Sequence, residues 1–235
     1  LGYSPPGEAE AIVANDLTAT VITLACAAAL DREAGRQGRT IPVHVKVDTG
    51  MGRFGLLPGE VLPFVRELSR FAHLRLEGFG THFAVADLPD KSYTWQQFDA
   101  FCRVLGELEA AGVRIPLRHA ANSAATLDLP EMHLDAVRPG IALYGLRPNP
   151  DVEPPIELRP ALSLYTHVER VRTLPPGSSI SYGRTFVCER DTAVVLIAAG
   201  YGDGYLRLLS NRASVLIRGQ RAPIVGRVCM DHTVV

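Results

Sequence analysis

Lysine is nearly missing from this chain. Of 24 lysines and arginines, only Lys46 and Lys91 are lysines. Cysteine is sparse too: Cys26, Cys102, Cys188 and Cys229 are scattered, with no C-x-x-C pair and no metal-ligand spacing. That excludes a disulfide framework, makes a zinc site a poor fit, and favours a reducing, cytoplasmic compartment. There is no basic surplus. The net charge of -1 leaves nothing to neutralise a nucleic-acid backbone, so no nucleic-acid partner is expected. Long apolar runs are missing as well. The longest candidate, Leu17 to Leu30, is short and rich in Ala and Thr, so no membrane span is expected. The start at Leu1 carries no signal-peptide charge pattern. The chain stops at Val235 within an apolar run, and both ends read as cut from something longer.

What remains is ordinary globular composition: 235 residues, 47% hydrophobic and 21% charged, enough for one large domain or two smaller ones. The first part alternates helix and strand patterns. Asp16 reads as the N-cap of a helix reaching about Ala34. Ile41 to Val47 reads as a strand, Gly59 to Phe71 as a helix, and Leu74 to Phe83 as a strand. A long helix is expected over Tyr93 to Ala111, then strands at Pro116 to Ala120 and Leu134 to Val137, separated by a brief helix at Ser123. Repeated βα units of this kind imply a parallel sheet or barrel with helices outside. Five prolines from Pro148 to Pro160 then interrupt the pattern. Beyond them come strands without long helices: Ala161 to Thr173, Thr192 to Ala199, Ala213 to Ile217 and Ala222 to Val228. The expected class is α/β: a partial (β/α)8 TIM barrel over residues 1–155, then a mostly-β domain over 156–235.

Polar residues of the first half collect just after predicted strands: Arg53, His82, His119 with Asn122 and Ser123, and Arg138. In a (β/α) barrel those positions form the functional mouth. Gly50-Met51-Gly52-Arg53-Phe54-Gly55 matches G-x-G-x-x-G after a strand. A dinucleotide site would need a helix opening within the motif, and Pro58 and Gly59 intervene. The glycines better suit a loop closing around a small anion, with Arg53 as a carboxylate fork. Ser123 with the glycine backbone N–H in Arg138-Pro139-Gly140-Ile141 suits a phosphate, although Ser123 alone is equally a helix cap. Taken singly, His82 and His119 read as core histidines, Tyr182 and Tyr201 as packing, and Met230 and Asp231 as a strand end.

Taken together, seven segments resemble, in order, the signature of the alanine racemase family. They are Val45 to Arg53, Thr81-His82-Phe83-Ala84, Ala121 to Ala125, Arg138 to Gly145, Ser181-Tyr182-Gly183, Gly200 to Tyr205 and Gly226 to Asp231. The resemblance implies a fold-type III pyridoxal 5'-phosphate enzyme. It would interconvert L- and D-alanine by two-base α-proton transfer, supply D-alanine for peptidoglycan, and form a homodimer with shared sites. It implies Tyr182, from the partner subunit, as one base, with His82 beside it and Arg138 facing the pyridine nitrogen. Ser123, Gly140 and Ile141 would hold the phosphate. Arg53, Met230, Asp231 and Tyr201 would line the substrate site, supported by Lys46, His119 and Asn122. Lys46 matches a lysine that is carbamylated in some members; an ordinary ion pair with Asp48 is the alternative. The family's cofactor-linking lysine matches neither Lys46 nor Lys91, so the chain reads as a central fragment, inactive alone. A broad-specificity racemase, another fold-type III enzyme and a non-catalytic cofactor-binding protein remain competing readings.

Overall fold

A computed structural model describes residues 2–235. The chain divides into two compact units, Leu1–Leu162 and Ser163–Val235. The division falls beyond Pro155, so the whole proline cluster stays with the first unit.

In the first unit, α1 (Ala9–Ala14) precedes β1 (Ala19–Val21), α2 (Leu24–Arg36), β2 (Ile41–Lys46), α3 (Pro58–Leu68), β3 (Leu74–Gly80), α4 (Ser92–Ala110), β4 (Leu117–His119) and α5 (Ser123–Asp128). The four strands form one parallel sheet in chain order, β1-β2-β3-β4, with a helix in every crossover. That is the (β/α) barrel pattern. Two sequence expectations fail here. The helix expected from Asp16 is really a strand followed by a later helix. The β-branched run Thr18 to Thr23 supplies β1, Asp16 sits at φ 54 in a turn, and the cap is Thr23, whose hydroxyl accepts from the Cys26 amide at 3.2 Å. Leu134 to Val137 is not a strand. Leu134 has φ 53, and the backbone here makes single bonds rather than a ladder, Asp135 N–H to Arg118 O and, just beyond the segment, Arg138 N–H to Ala121 O.

The core follows from strand alternation and helix stripes. Ile41, Val43, Val45 and Phe79 are buried in the sheet against Leu30, Val61, Val65, Phe101, Leu105 and Leu108 of the helices. Cys102, on α4, is exposed.

The second unit has strands, short 3-10 turns and loops and, among its described residues, no α-helix; its strands are β5 (Val168–Leu174), β6 (Ser179–Ile180), β7 (Phe186–Val187), β8 (Thr192–Ile197), β9 (Ser214–Ile217), β10 (Gln220–Pro223) and β11 (Thr233–Val234). β11, β8 and β5 form an antiparallel sheet; β9–β10 and β6–β7 are hairpins. The β9–β10 turn is Arg218-Gly219 with φ 50 and 78, the left-handed pair that matches strand twist. Two small cores hold the unit, one around Ile180, Cys188, Val194 and Val225, the other around Ile197, Ile224, Val228 and Val235. No described helix is long and apolar enough to cross a membrane.

Candidate functional site

The carboxyl ends of β2, β3 and β4 bring Lys46, Thr81 and His119 together with Arg138 around a cavity of about 260 Å³, also lined by Thr18, Thr20 and His44. Arg138 is its centre. One Nη1–H donates to His119 Nδ1. Nη2 donates to the carbonyls of Thr81 at 2.7 Å and Ala120 at 3.1 Å, with His82 Nδ1 at 3.4 Å. A guanidinium has five N–H donors and no acceptor. Nε–H and the second Nη1–H are therefore left for a ligand. Burial pulls Arg138 down to about 10, so it stays cationic at neutral pH. The two imidazoles touching it must be neutral to accept from it. His82 is pushed down to about 4 and His119 to about 3, first by burial and then by the Arg138 charge. Groups with shifts this large and a defined partner cluster at functional sites.

Ser123 is buried, and Asn122, not Ser123, caps α5, its side-chain oxygen accepting from the Ala125 amide at 3.1 Å. Asn122 also donates to the Phe83 carbonyl at 3.3 Å, pinning the helix start to the segment after β3. Ser123 Oγ is thereby released from capping and accepts from the Gly140 amide at 2.8 Å and the Ala142 amide at 3.3 Å. With both lone pairs occupied, what the hydroxyl still offers is its proton. Gly140 leaves open space in front of it: a Cβ there would meet nothing nearer than Ser123 Oγ at 3.9 Å. Ile141, next along, is exposed.

The loop after β2 winds around Asp48. One carboxylate oxygen accepts from the amides of Gly50, Met51 and Gly52 at 2.9, 2.9 and 3.1 Å. This turn does not open a helix, so it is no dinucleotide fingerprint. It presents Arg53 exposed. Lys46 is buried beneath the loop, its ammonium 3.9 Å from the centre of the Phe54 ring. Burial first, then the charges of Arg53 and Arg138, lower Lys46 to about 8. Lys91 donates to the Ala86 carbonyl at 2.7 Å and pairs with Asp128 at 3.0 Å.

The second unit gathers its own predicted residues around the segment from Gly226 to Asp231. Ser181, at φ 60, donates to the Arg227 carbonyl at 2.6 Å and leaves Tyr182 exposed. The Tyr201 amide donates to the Cys229 carbonyl at 2.9 Å and the Gly202 amide to the Met230 carbonyl at 2.7 Å, setting Tyr201 beside Met230 and Asp231. A side chain at Gly200 would collide with the Met230 carbonyl, so only glycine permits this approach.

Sequence reasoning missed three participants. Thr81 anchors Arg138 through its carbonyl and holds Thr49 Oγ1 at 2.7 Å through its hydroxyl. His44 stands 2.9 Å behind His119, and Glu77 lies 3.4 Å from His44. The available signal was the pairing of His44-x-Lys46 in one strand with Gly78-x-Gly80 in the next, small residues facing large ones.

The first unit is thus a half-built parallel barrel with an arginine-centred mouth, and the second a β domain. The chain belongs to the alanine racemase family. Residues 1–148 match the model of the alanine racemase N-terminal domain and residues 161–235 that of its C-terminal domain. An alanine racemase of Symbiobacterium thermophilum is 50% identical over 235 residues, all of this chain and 62% of that protein. A solved alanine racemase of Clostridium difficile 630 superposes with a TM-score of 0.92 at 38% identity, covering 100% of this chain and 62% of that one. A histidine racemase from Leuconostoc mesenteroides subsp. sake superposes at 0.87 with 30% identity, covering 100% and 63%. The chain spans about 62% of the length of such relatives, and its fold is that of a partial (β/α)8 barrel followed by a mostly-β domain.

Proposed function

We propose that this chain supplies most of the active site of a pyridoxal phosphate-dependent alanine racemase acting in the cytoplasm to provide D-alanine for peptidoglycan. The observation that carries the reading is Arg138: a buried guanidinium, cationic at neutral pH, with two unspent donors and only neutral imidazoles beside it. Such a group can donate to a pyridine nitrogen and cannot protonate it. Ser123 Oγ–H and the Ile141 amide, beside the open space at Gly140, fit the cofactor phosphate. When bound, pyridoxal phosphate supplies the electron-withdrawing ring that makes an amino acid's α-proton acidic.

Every other task falls to residues. Arg53 of one copy and the Met230 backbone of a second copy grip the substrate carboxylate, with Tyr201 and Asp231 of that second copy lining the same entrance. Tyr182 of a second copy moves the proton at one face of Cα; its exposure supports a role outside its own unit. His82, held neutral, keeps Nε2–H free to donate to that phenolate. A lysine at the opposite face comes from outside these 235 residues. Lys91 is tied to Asp128, and Lys46 is sequestered under Phe54. With its amine near neutrality at about 8, Lys46 is suited to carbamylation, which would turn a third cation beside Arg53 and Arg138 into an anion.

The test is to express the open reading frame that carries these residues, add pyridoxal phosphate and L-alanine, and resolve the enantiomers by chiral chromatography. D-alanine forming until the enantiomers are equal supports the reading; no D-alanine rejects it. Broad specificity is the second reading, favoured by the likeness to a histidine racemase. L-histidine and L-serine run in parallel decide it.

A further inference from the structure

Behind Arg138 runs a chain of side chains that the proposed reaction does not use. His119 Nε2 lies 2.9 Å from His44 Nδ1, the two rings 5.1 Å apart between centres. His44 Nε2 lies 3.4 Å from Glu77 Oε2, and Glu77 Oε1 accepts from the exposed Arg75 guanidinium at 3.0 Å. The direction of every bond follows from the one at the arginine. Arg138 can only donate, so His119 Nδ1 accepts, and a neutral His119 carries its proton on Nε2. That proton goes to His44 Nδ1, which places the His44 proton on Nε2, aimed at the Glu77 carboxylate. Neutral rings are what the site provides: His119 is pushed down to about 3, and burial is the largest cause lowering His44.

Two features of the backbone are built around this chain. Val43 of β2 pairs with Leu76 of β3 while His44 pairs with Gly78, leaving Glu77 as the extra residue of a bulge. Bulges re-aim side chains beside functional sites. Gly78 and Gly80, the next residues inward on β3, make room for the two rings. A Cβ at Gly78 would stand 2.9 Å from His44 Cε1, and one at Gly80 would overlap the His119 ring.

We propose that Glu77 and His44 are positioning residues of the site. A carboxylate at the barrel floor fixes the His44 tautomer, His44 fixes that of His119, and His119 then holds Arg138 with Nε–H and one Nη1–H turned to the cofactor pyridine. The proposal deepens the racemase reading and rests on it for the identity of what Arg138 meets; the chain of tautomers stands independently of it.

The test separates the two. In the 235-residue chain with ¹⁵N-labelled histidine, NMR at pH 7 reads the protonated nitrogen of each ring. Both His44 and His119 are expected as neutral Nε2–H tautomers. Glu77→Gln, whose amide oxygen still accepts, is expected to keep both; Glu77→Ala is expected to let His44 populate both tautomers and to shift the His119 resonances. An Nδ1–H tautomer on either ring of the wild type overturns the proposal, as does a Glu77→Ala spectrum with both rings unchanged. Should Glu77→Ala not fold, the wild-type tautomers alone decide. In the longer racemase, Glu77→Ala is expected to lower kcat about ten-fold with little change in KM for alanine, and Glu77→Gln to restore it. An unchanged kcat refutes the positioning role. Absence of racemisation in the unsubstituted longer chain would instead sink the racemase reading and leave the tautomer result standing.

Discussion

Replacing Lys46 by methionine should make the protein more stable, and only below a definite pH. Lys46 is 8% exposed and its ammonium faces an aromatic ring rather than a carboxylate; the carboxylate of Asp48 is turned to its own loop amides. Its ionisation drops from 10.5 to about 8 on folding. Between those values the unfolded chain holds a proton that the folded one has released, so stability rises with pH across that window. Below about 8 the folded state bears the whole cost, on the order of 3 kcal/mol at about 1.4 kcal/mol per pH unit. Methionine keeps the stem and removes the charge, forgoing a cation–π contact worth about 0.5–1 kcal/mol at an exposed site and ~2 or more when desolvated, as here. The net expectation is a gain of on the order of 1 kcal/mol at pH 6.5, shrinking toward pH 10, where the variant is the weaker packer. Urea unfolding followed by circular dichroism at pH 6.5, 8.5 and 10, in bicarbonate-free buffer, measures it. A gap between variant and wild type that does not change across that pH range would refute the assignment of a buried, depressed ammonium.

Other outcomes follow from the same geometry. Gly80→Ala should drive a methyl into the His119 ring and cost about 1–3 kcal/mol in urea unfolding, with the ¹⁵N resonances of Arg138 displaced. The neutral imidazoles His82 and His119, depressed to about 4 and about 3, are bound to protons in the unfolded chain up to its ordinary range near 6.5. Stability should therefore fall as pH drops from 6.5 toward 4, and His82→Asn should flatten that fall in urea titrations at pH 4.5, 5.5 and 6.5. Ser123→Ala should remove a phosphate donor while leaving the Asn122 cap intact, weakening pyridoxal phosphate binding about ten-fold in a fluorescence titration of the longer chain, and should lower the unfolding midpoint because the Gly140 and Ala142 amides lose their acceptor. The 235-residue chain with added pyridoxal phosphate should form no D-alanine beyond the free cofactor; turnover would place the missing lysine's role on Lys46 or Lys91.

The readability of this molecule differed by element for physical reasons. β2 and α4 were plain because a β-branched run and a long apolar stripe each obey a single period. The stretch from Asp16 to Ala34 misled because its apolar residues run on without a break, and only the β-branched cluster from Thr18 to Thr23 marks where strand gives way to helix. Leu134 to Val137 has strand composition but is used as a connector, a choice made by Arg118 and Asp135, whose side chains bond at 2.7 Å. In the site, Ser123 and His119 were readable from their places just past and at the end of a strand, whereas Arg138 was picked out as following a strand, Leu134 to Val137, that does not form. His44 and Glu77 were not: each is an ordinary polar residue in an alternating strand, and their meeting depends on a bulge that no local pattern announces. The cap at Asn122 was similarly hidden, since Asn and Ser at adjacent positions are equally good candidates until the amides of Gly140 and Ala142 claim the serine.

The most direct test of the account is α-proton exchange in deuterium oxide with Tyr182→Phe in the longer racemase. With one base on each face of Cα, the variant should lose racemisation by a factor of at least about a hundred. It should still exchange the α-proton of one enantiomer, through the surviving base, and not the other. Mass spectrometry of recovered L- and D-alanine reads both at once. Deuterium entering one enantiomer without inversion is the predicted result. Wild-type racemisation in the variant, or equal exchange of both enantiomers, would contradict the two-base site assigned to this chain.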